Sequence, residues 1–132
     1  MTDANVEVVR QIYEGWAHGE FPGPDELLDE DIEYVNPESA VEPGTRYGLD
    51  QFMRAVEKVF EGWETWDMTP ERFEPAGDQV AVLVRYSARG RTSGAEVDGR
   101  ESALWTIRDG KAVRYEWFHD PADAFKAAGL EH

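Results

Sequence analysis

The sequence contains no cysteine, which excludes a disulfide framework, a thiol nucleophile and thiolate metal ligation. Positive charge is also scarce: 13 Lys and Arg stand against 28 Asp and Glu, for a formal net charge of −15. So acidic a surface repels phosphate backbones and anionic lipid, and neither nucleic acid nor a membrane is an expected partner. No apolar run approaches the roughly 20 residues that span a bilayer. Met1-Thr2-Asp3 lacks the basic-then-apolar opening of a signal peptide, so the cytoplasm is the expected location. His18 and His119, the two internal histidines, lie far apart with no acids at ligand spacing. No metal site or cofactor is expected. Leu130-Glu131-His132 reads as the stub of a purification tag, so residues 131–132 are set aside and 1–130 is taken as one domain.

Aromatic residues, by contrast, are abundant, with five Trp and five Tyr in 132 residues. Rings in that number fill a small core and also line pockets for flat organic ligands.

Val6, Val9, Tyr13 and Trp16 recur on one face, predicting a helix over Asn5–Trp16 with Thr2 or Asp3 as its cap and Gly19 as its stop. Pro24–Leu28 predicts a short second helix. Asp31–Asn36 alternates as a strand that Pro37 ends, and a loop follows to Gly48. A third helix carries Leu49, Phe52, Val56, Val59, Phe60 and Trp63 as an apolar stripe. The period then becomes two, with strands expected over Asp67–Pro75, Asp78–Arg89, Ala95–Arg108 and Ala112–His119. Asp109-Gly110 marks a hairpin turn, and Gly90 to Gly94 a looser one. Asp120 as cap, Pro121 in the first turn and Gly129 as stop frame a terminal helix. This order predicts an α+β fold. Val80-Ala81-Val82-Leu83-Val84 is apolar on both faces of its strand. With helices on one face only, the other is expected to be buried in a homodimer through the sheet.

Tyr34-Val35-Asn36-Pro37, Gly48 before the long helix, Arg91-Thr92-Ser93-Gly94, Trp105 to Lys111 and Ala127-Ala128-Gly129-Leu130 occur in an order that resembles the SnoaL-like branch of the nuclear transport factor 2-like superfamily. That superfamily also holds ketosteroid isomerase and limonene epoxide hydrolase. The resemblance covers nearly the whole chain. It implies a cone: a curved, mostly antiparallel sheet on three N-terminal helices, a short C-terminal helix and a hydrophobic cavity. It implies no single chemistry. The isomerase base falls at Asn36 and its oxyanion donors at Ile12 and Ala103, none of which serves. The hydrolase Tyr, Asn and Arg fall at Tyr34, Asn36 and Arg85, while its two carboxylates fall at Ser87 and Trp117.

The resemblance points Arg85 inward, and a buried guanidinium needs a partner; Glu101, one strand over, is the candidate. The pair reads either as a structural ion pair or as a substrate anchor. His119 at the end of the last strand suits acid–base work, or is a strand-end histidine beside a helix cap. Tyr34 and Asn36 form a ligand-orienting pair, with Ser87, Trp16, Phe52, Phe60, Trp105 and Trp117 as further candidate lining. The expected partner is a small hydrophobic molecule. Three functions stand open: an acid–base enzyme of cyclase or isomerase type using Glu101, Arg85 or His119; a non-catalytic binder; and a dimeric interaction module.

Overall fold

The computed structural model describes residues 4–18, 20, 25–37 and 43–130, apart from the side chains of Asp25, Val59 and Phe60. The expected cap at Thr2 or Asp3, the Gly19 stop, Pro24, the Phe60 side chain and residues 131–132 lie outside that description. Helix α1 (Ala4–Ala17) is followed by a 3-10 turn (Asp25–Leu27), strands β1 (Leu28–Asn36) and β2 (Gly44–Tyr47), and helix α2 (Leu49–Gly62). Strands β3 (Trp63–Ala76), β4 (Gln79–Gly90), β5 (Glu96–Arg108) and β6 (Lys111–Phe118) precede helix α3 (Asp123–Ala127). The second expected helix is thus a single 3-10 turn, because Leu28 already belongs to β1. The expected loop before Gly48 contains β2, too short at four residues to show a period.

The six strands form one curved, unclosed sheet in the order β2-β1-β6-β5-β4-β3. Only β1 and β6 run parallel; every other neighbouring pair is antiparallel. Pro70 and Pro75 sit on β3, an edge strand, where a missing N–H is tolerated, and the ladder is bulged between Pro70 and Arg72. Asp109 and Gly110 both have positive φ, 53° and 77°, as a tight Asp-Gly hairpin requires. Gly48 has φ +88° and donates its N–H to the Ile32 carbonyl at 2.8 Å, while its own carbonyl receives the Phe52 N–H at 3.0 Å. The left-handed glycine therefore ties the start of α2 to β1.

The inner face of the sheet packs on α1 and α2. Val80, Val82 and Val84 of β4, Ala103, Trp105 and Ile107 of β5, Tyr115 of β6 and Ile32 of β1 meet Val9, Ile12 and Tyr13 of α1 and Phe52 of α2. Ala81 and Leu104 point the other way, joined by Leu83 and Phe118, and pack against Ala124, Phe125, Ala128 and Leu130. The apolarity of β4 on both faces therefore has a cause within the chain. The premise that helices cover only one face is corrected, since α3 covers the central patch of the second. Elsewhere on that face the side chains are charged: Arg100 bonds Glu71 at 2.7 Å and Arg72 bonds Glu74 at 2.6 Å.

Asp120 does not cap α3 as expected. Its carboxylate accepts the Ala122 N–H at 2.7 Å in a turn that precedes the helix. The cap comes instead from Ser102 of β5, which is fully buried: its Oγ accepts the Ala124 N–H at 3.0 Å and donates to the Asp120 carbonyl at 2.7 Å. Replacing Ser102 by Ala strands the buried Ala124 N–H, while the exposed Asp120 carbonyl keeps the Asp123 N–H, and we expect a loss of about 1–3 kcal/mol in urea denaturation. A change within about 0.5 kcal/mol would contradict this anchoring role.

Candidate functional site

Strand register decides which candidate residues share a face. Val84 lies opposite Glu101, so Glu101 projects inward with the valines of β4, two residues before Ala103 and four before Trp105. Trp117 lies opposite Ala103, and Tyr115 opposite Trp105. Tyr34 of β1 lies beside Tyr115 of β6. α1 adds Tyr13 and Trp16, and α2 adds Phe52. Tyr115 is stacked on Tyr34 at 5.5 Å and meets Trp105 at 4.5 Å and Phe52 at 5.9 Å in tilted contact and Trp16 at 5.9 Å edge-on.

Glu101 is the one buried carboxylate among the described residues, at 9% exposure. Burial pushes its pKa up to about 7, because taking the charge out of water favours the protonated form. Among the described residues no cation offsets that effect. Its charge is felt at Tyr13, Tyr34 and Tyr115, whose own pKa values rise chiefly by burial, Tyr34 to about 12. All three phenols stay protonated at neutral pH and can donate hydrogen bonds. The Tyr13 hydroxyl already accepts the Trp105 indole N–H at 3.2 Å. The Trp117 indole N–H donates to Asn36 Oδ1 at 2.6 Å, fixing the amide at the end of β1.

The expected Arg85–Glu101 pair does not form, because the two residues lie on opposite faces. Arg85 is exposed and stands directly across from Arg100. Ser87 shares that outward face and is also exposed. The alternation Arg85-Tyr86-Ser87-Ala88-Arg89 carried the signal: past Val84 the odd positions are polar, so the even ones face in. Trp105 and Phe52 are fully buried core residues, while Trp16 and Trp117 are half-buried. His119 lies just past the end of β6, exposed, with its ring edge-on to Trp117 at 4.7 Å. His119 directly follows Phe118, whose pairing with Ser102 is the last of the β5–β6 ladder. The site thus gathers Glu101, Tyr34, Asn36 and Trp117, with His119 at its border. Tyr13 and Tyr115, read from the sequence only as rings, contribute phenols as well. Among the described residues no group of three His, Asp or Glu is placed to hold a metal ion.

Residues 9–115 match the family model described as the SnoaL-like domain. The chain belongs to that family. Similar solved structures include an NTF2-like protein of unknown function from Burkholderia pseudomallei, with 22% identity over 95% of this chain and 97% of that one and a TM-score of 0.80. TerC, co-crystallised with polyporic acid, has 24% identity over 96% and 99%, with a TM-score of 0.79. A putative SnoaL-like polyketide cyclase from Jannaschia sp. has 20% identity over 98% and 94%, with a TM-score of 0.76. At these identities the likeness establishes the fold. No curated protein matches the sequence.

The Glu101 carboxyl has a pH signature of known sign. Below the usual value of 4.5 it is protonated in both folded and unfolded chains and contributes nothing. Above 4.5 the unfolded chain releases the proton while the folded chain holds it until about 7. Stability therefore falls across that window and levels off above it, by about 3 kcal/mol if the full shift is expressed. Glu101→Gln should be more stable than the parent at pH 8 and should show less decline between pH 5 and 7 in urea denaturation. Parallel pH profiles for the two proteins would contradict a buried, uncompensated carboxyl.

Proposed function

We propose that this protein binds a small hydrophobic molecule in an aromatic-lined cavity between the inner sheet face and the helices, and that Glu101 exchanges a proton with it. The observation that carries this reading is a buried carboxyl with no counter-charge among the described residues, within electrostatic reach of three phenols. Such a group is divided between acid and base near neutral pH, which suits general acid–base catalysis of the cyclase or isomerase kind. Tyr34 and the amide of Asn36, held by Trp117, orient the ligand. His119 is a second proton carrier at the border. Trp16 completes the lining, while Trp105 and Phe52 support it from beneath.

The outward placement of Arg85 sharpens the ligand class. Arg85 brings no guanidinium to Glu101, and Arg46, which lies opposite Tyr34 on the inner face, acts at the Tyr34 end of the site. A neutral ketone or phenol suits a lone acid–base carboxyl better than an anion does. The co-crystallisation of TerC with polyporic acid supports the view that this fold accepts flat organic molecules. A cytoplasmic location belongs to the same proposal.

A thermal-shift panel of aromatic ketones, phenols and carboxylic acids provides the test. Ketones and phenols should raise Tm more than acids do, since binding to the folded state stabilises it. A bound methyl ketone should exchange its α-protons with deuterium by NMR, and Glu101→Gln should abolish that exchange. Binding without exchange would leave a non-catalytic binder. No stabilisation by any class would overturn the reading.

A homodimer through the outer sheet face is a second proposal. It is supported by the exposed Arg85, which stands beside an Arg100 already bonded to Glu71, and to which a second copy could present Asp98. Sedimentation equilibrium at micromolar concentration should give a dimer weakened by salt or by Arg85→Glu. A monomer throughout would refute it.

A further inference from the structure

Beyond Glu101, toward the turn of the β4–β5 hairpin, the inner face carries three rings that belong to neither buried core. Trp66 lies opposite Ala88 and Met68 opposite Tyr86, which places Trp66 and Tyr86 on the same face as the core residue Met68. The Trp66 and Tyr86 rings are stacked, with centroids 6.1 Å apart and planes within 10°, and Trp63 adjoins Trp66 at 5.7 Å. All three are half-buried.

Tyr86 faces Gly99 across the ladder. A Cβ at Gly99 would stand 2.8 Å from the Tyr86 hydroxyl oxygen and 3.0 Å from Cζ, so the tip of the ring lies directly on the glycine. Gly99 is not among the glycines with positive φ, so its backbone does not require glycine. A glycine inside a strand costs about 0.5–1 kcal/mol relative to Ala. The feature that offsets this cost is the flat seat it gives Tyr86, next to Glu101 on the same strand.

We propose that Trp66 and Tyr86, seated on Gly99, form a stacking subsite continuous with the Glu101 site, which takes a planar ring of the same ligand. This rests on the proton-exchange reading above and extends it. At 3.3 Å per strand residue, Tyr86 stands about 7 Å and Trp66 about 13 Å along the strand from the level of Glu101. The ligand class is therefore an elongated molecule of two or more rings, with a ketone or phenol at one end and a flat apolar ring at the other. Half-buried stacked rings offer a face for such a ring at little entropic cost, since each has only two side-chain torsions.

Phenol and 4-phenylphenol differ by that distal ring and serve as probes in calorimetric titration at pH 7. The parent protein should bind 4-phenylphenol at least ~10-fold more tightly than phenol. Trp66→Leu and Tyr86→Leu should each lower that preference by roughly three- to ten-fold, the worth of one aromatic contact, while leaving phenol affinity unchanged. Gly99→Ala, which keeps both rings but lifts Tyr86 from its seat, should lower the preference in the same sense. Unchanged phenol binding reports an intact fold and Glu101 site in each variant. A preference retained in all three variants overturns the subsite alone. Failure of the parent to bind either probe overturns the Glu101 reading, and the subsite with it.

Discussion

The Tyr115 ring is the contact on which the rest of the inner face depends. It receives Trp16 from α1, Phe52 from α2, Tyr34 from β1 and Trp105 from β5, all with centroids within 6 Å. One strand thereby joins both helices to the only parallel pairing in the sheet. Rings packed this closely hold their spacing, because a shift of any one opens gaps that the others cannot fill. The environment of Glu101 follows from this packing. The same cluster that excludes water from the core also removes the solvation that would keep the carboxyl fully ionised.

That coupling explains how a fold without either family carboxylate pair holds a carboxyl whose pKa is raised to about 7. Where the resemblance sets catalytic acids, the chain has Asn36, Ser87, Ala103 and Trp117. Ala103 is core, Ser87 points to the other face, and Trp117 with Asn36 forms a fixed polar contact. The buried carboxyl of this face is Glu101, and its raised pKa comes from burial. A neighbouring arginine would have had the opposite effect, holding the carboxyl ionised and making a structural ion pair.

The second face divides its labour between a short helix and charge. α3 is only five residues long and cannot be stable alone. It is held by Phe125 packed under Arg72, whose guanidinium lies 5.1 Å from the ring, and by the Ser102 hydroxyl. Around that patch ion pairs such as Arg100–Glu71 leave a polar surface. Two apolar faces on β4 therefore do not by themselves imply a partner chain.

The α+β class, the long helices and the last four strands were legible in the sequence because their hydrophobic periods are long and each is bounded by glycine, proline or Asp-Gly. The resemblance to the SnoaL-like family was legible for the same reason, as a spacing of turns and strand ends. Three features were not. β2 is too short for periodicity, the cap of α3 comes from a residue 22 positions upstream, and the facing of β4 is ambiguous wherever both of its faces are apolar. A strand read alone has no inside. In Val80 to Val84 either parity buries valine or alanine and leucine, so only pairing with β5, and α3 lying across Ala81 and Leu104, decided which face met the helices. That choice put Glu101 in the interior, sent Arg85 outside and seated Tyr86 on Gly99. The residue types were set by the sequence; their company was set by a two-residue strand period that only tertiary contacts could anchor.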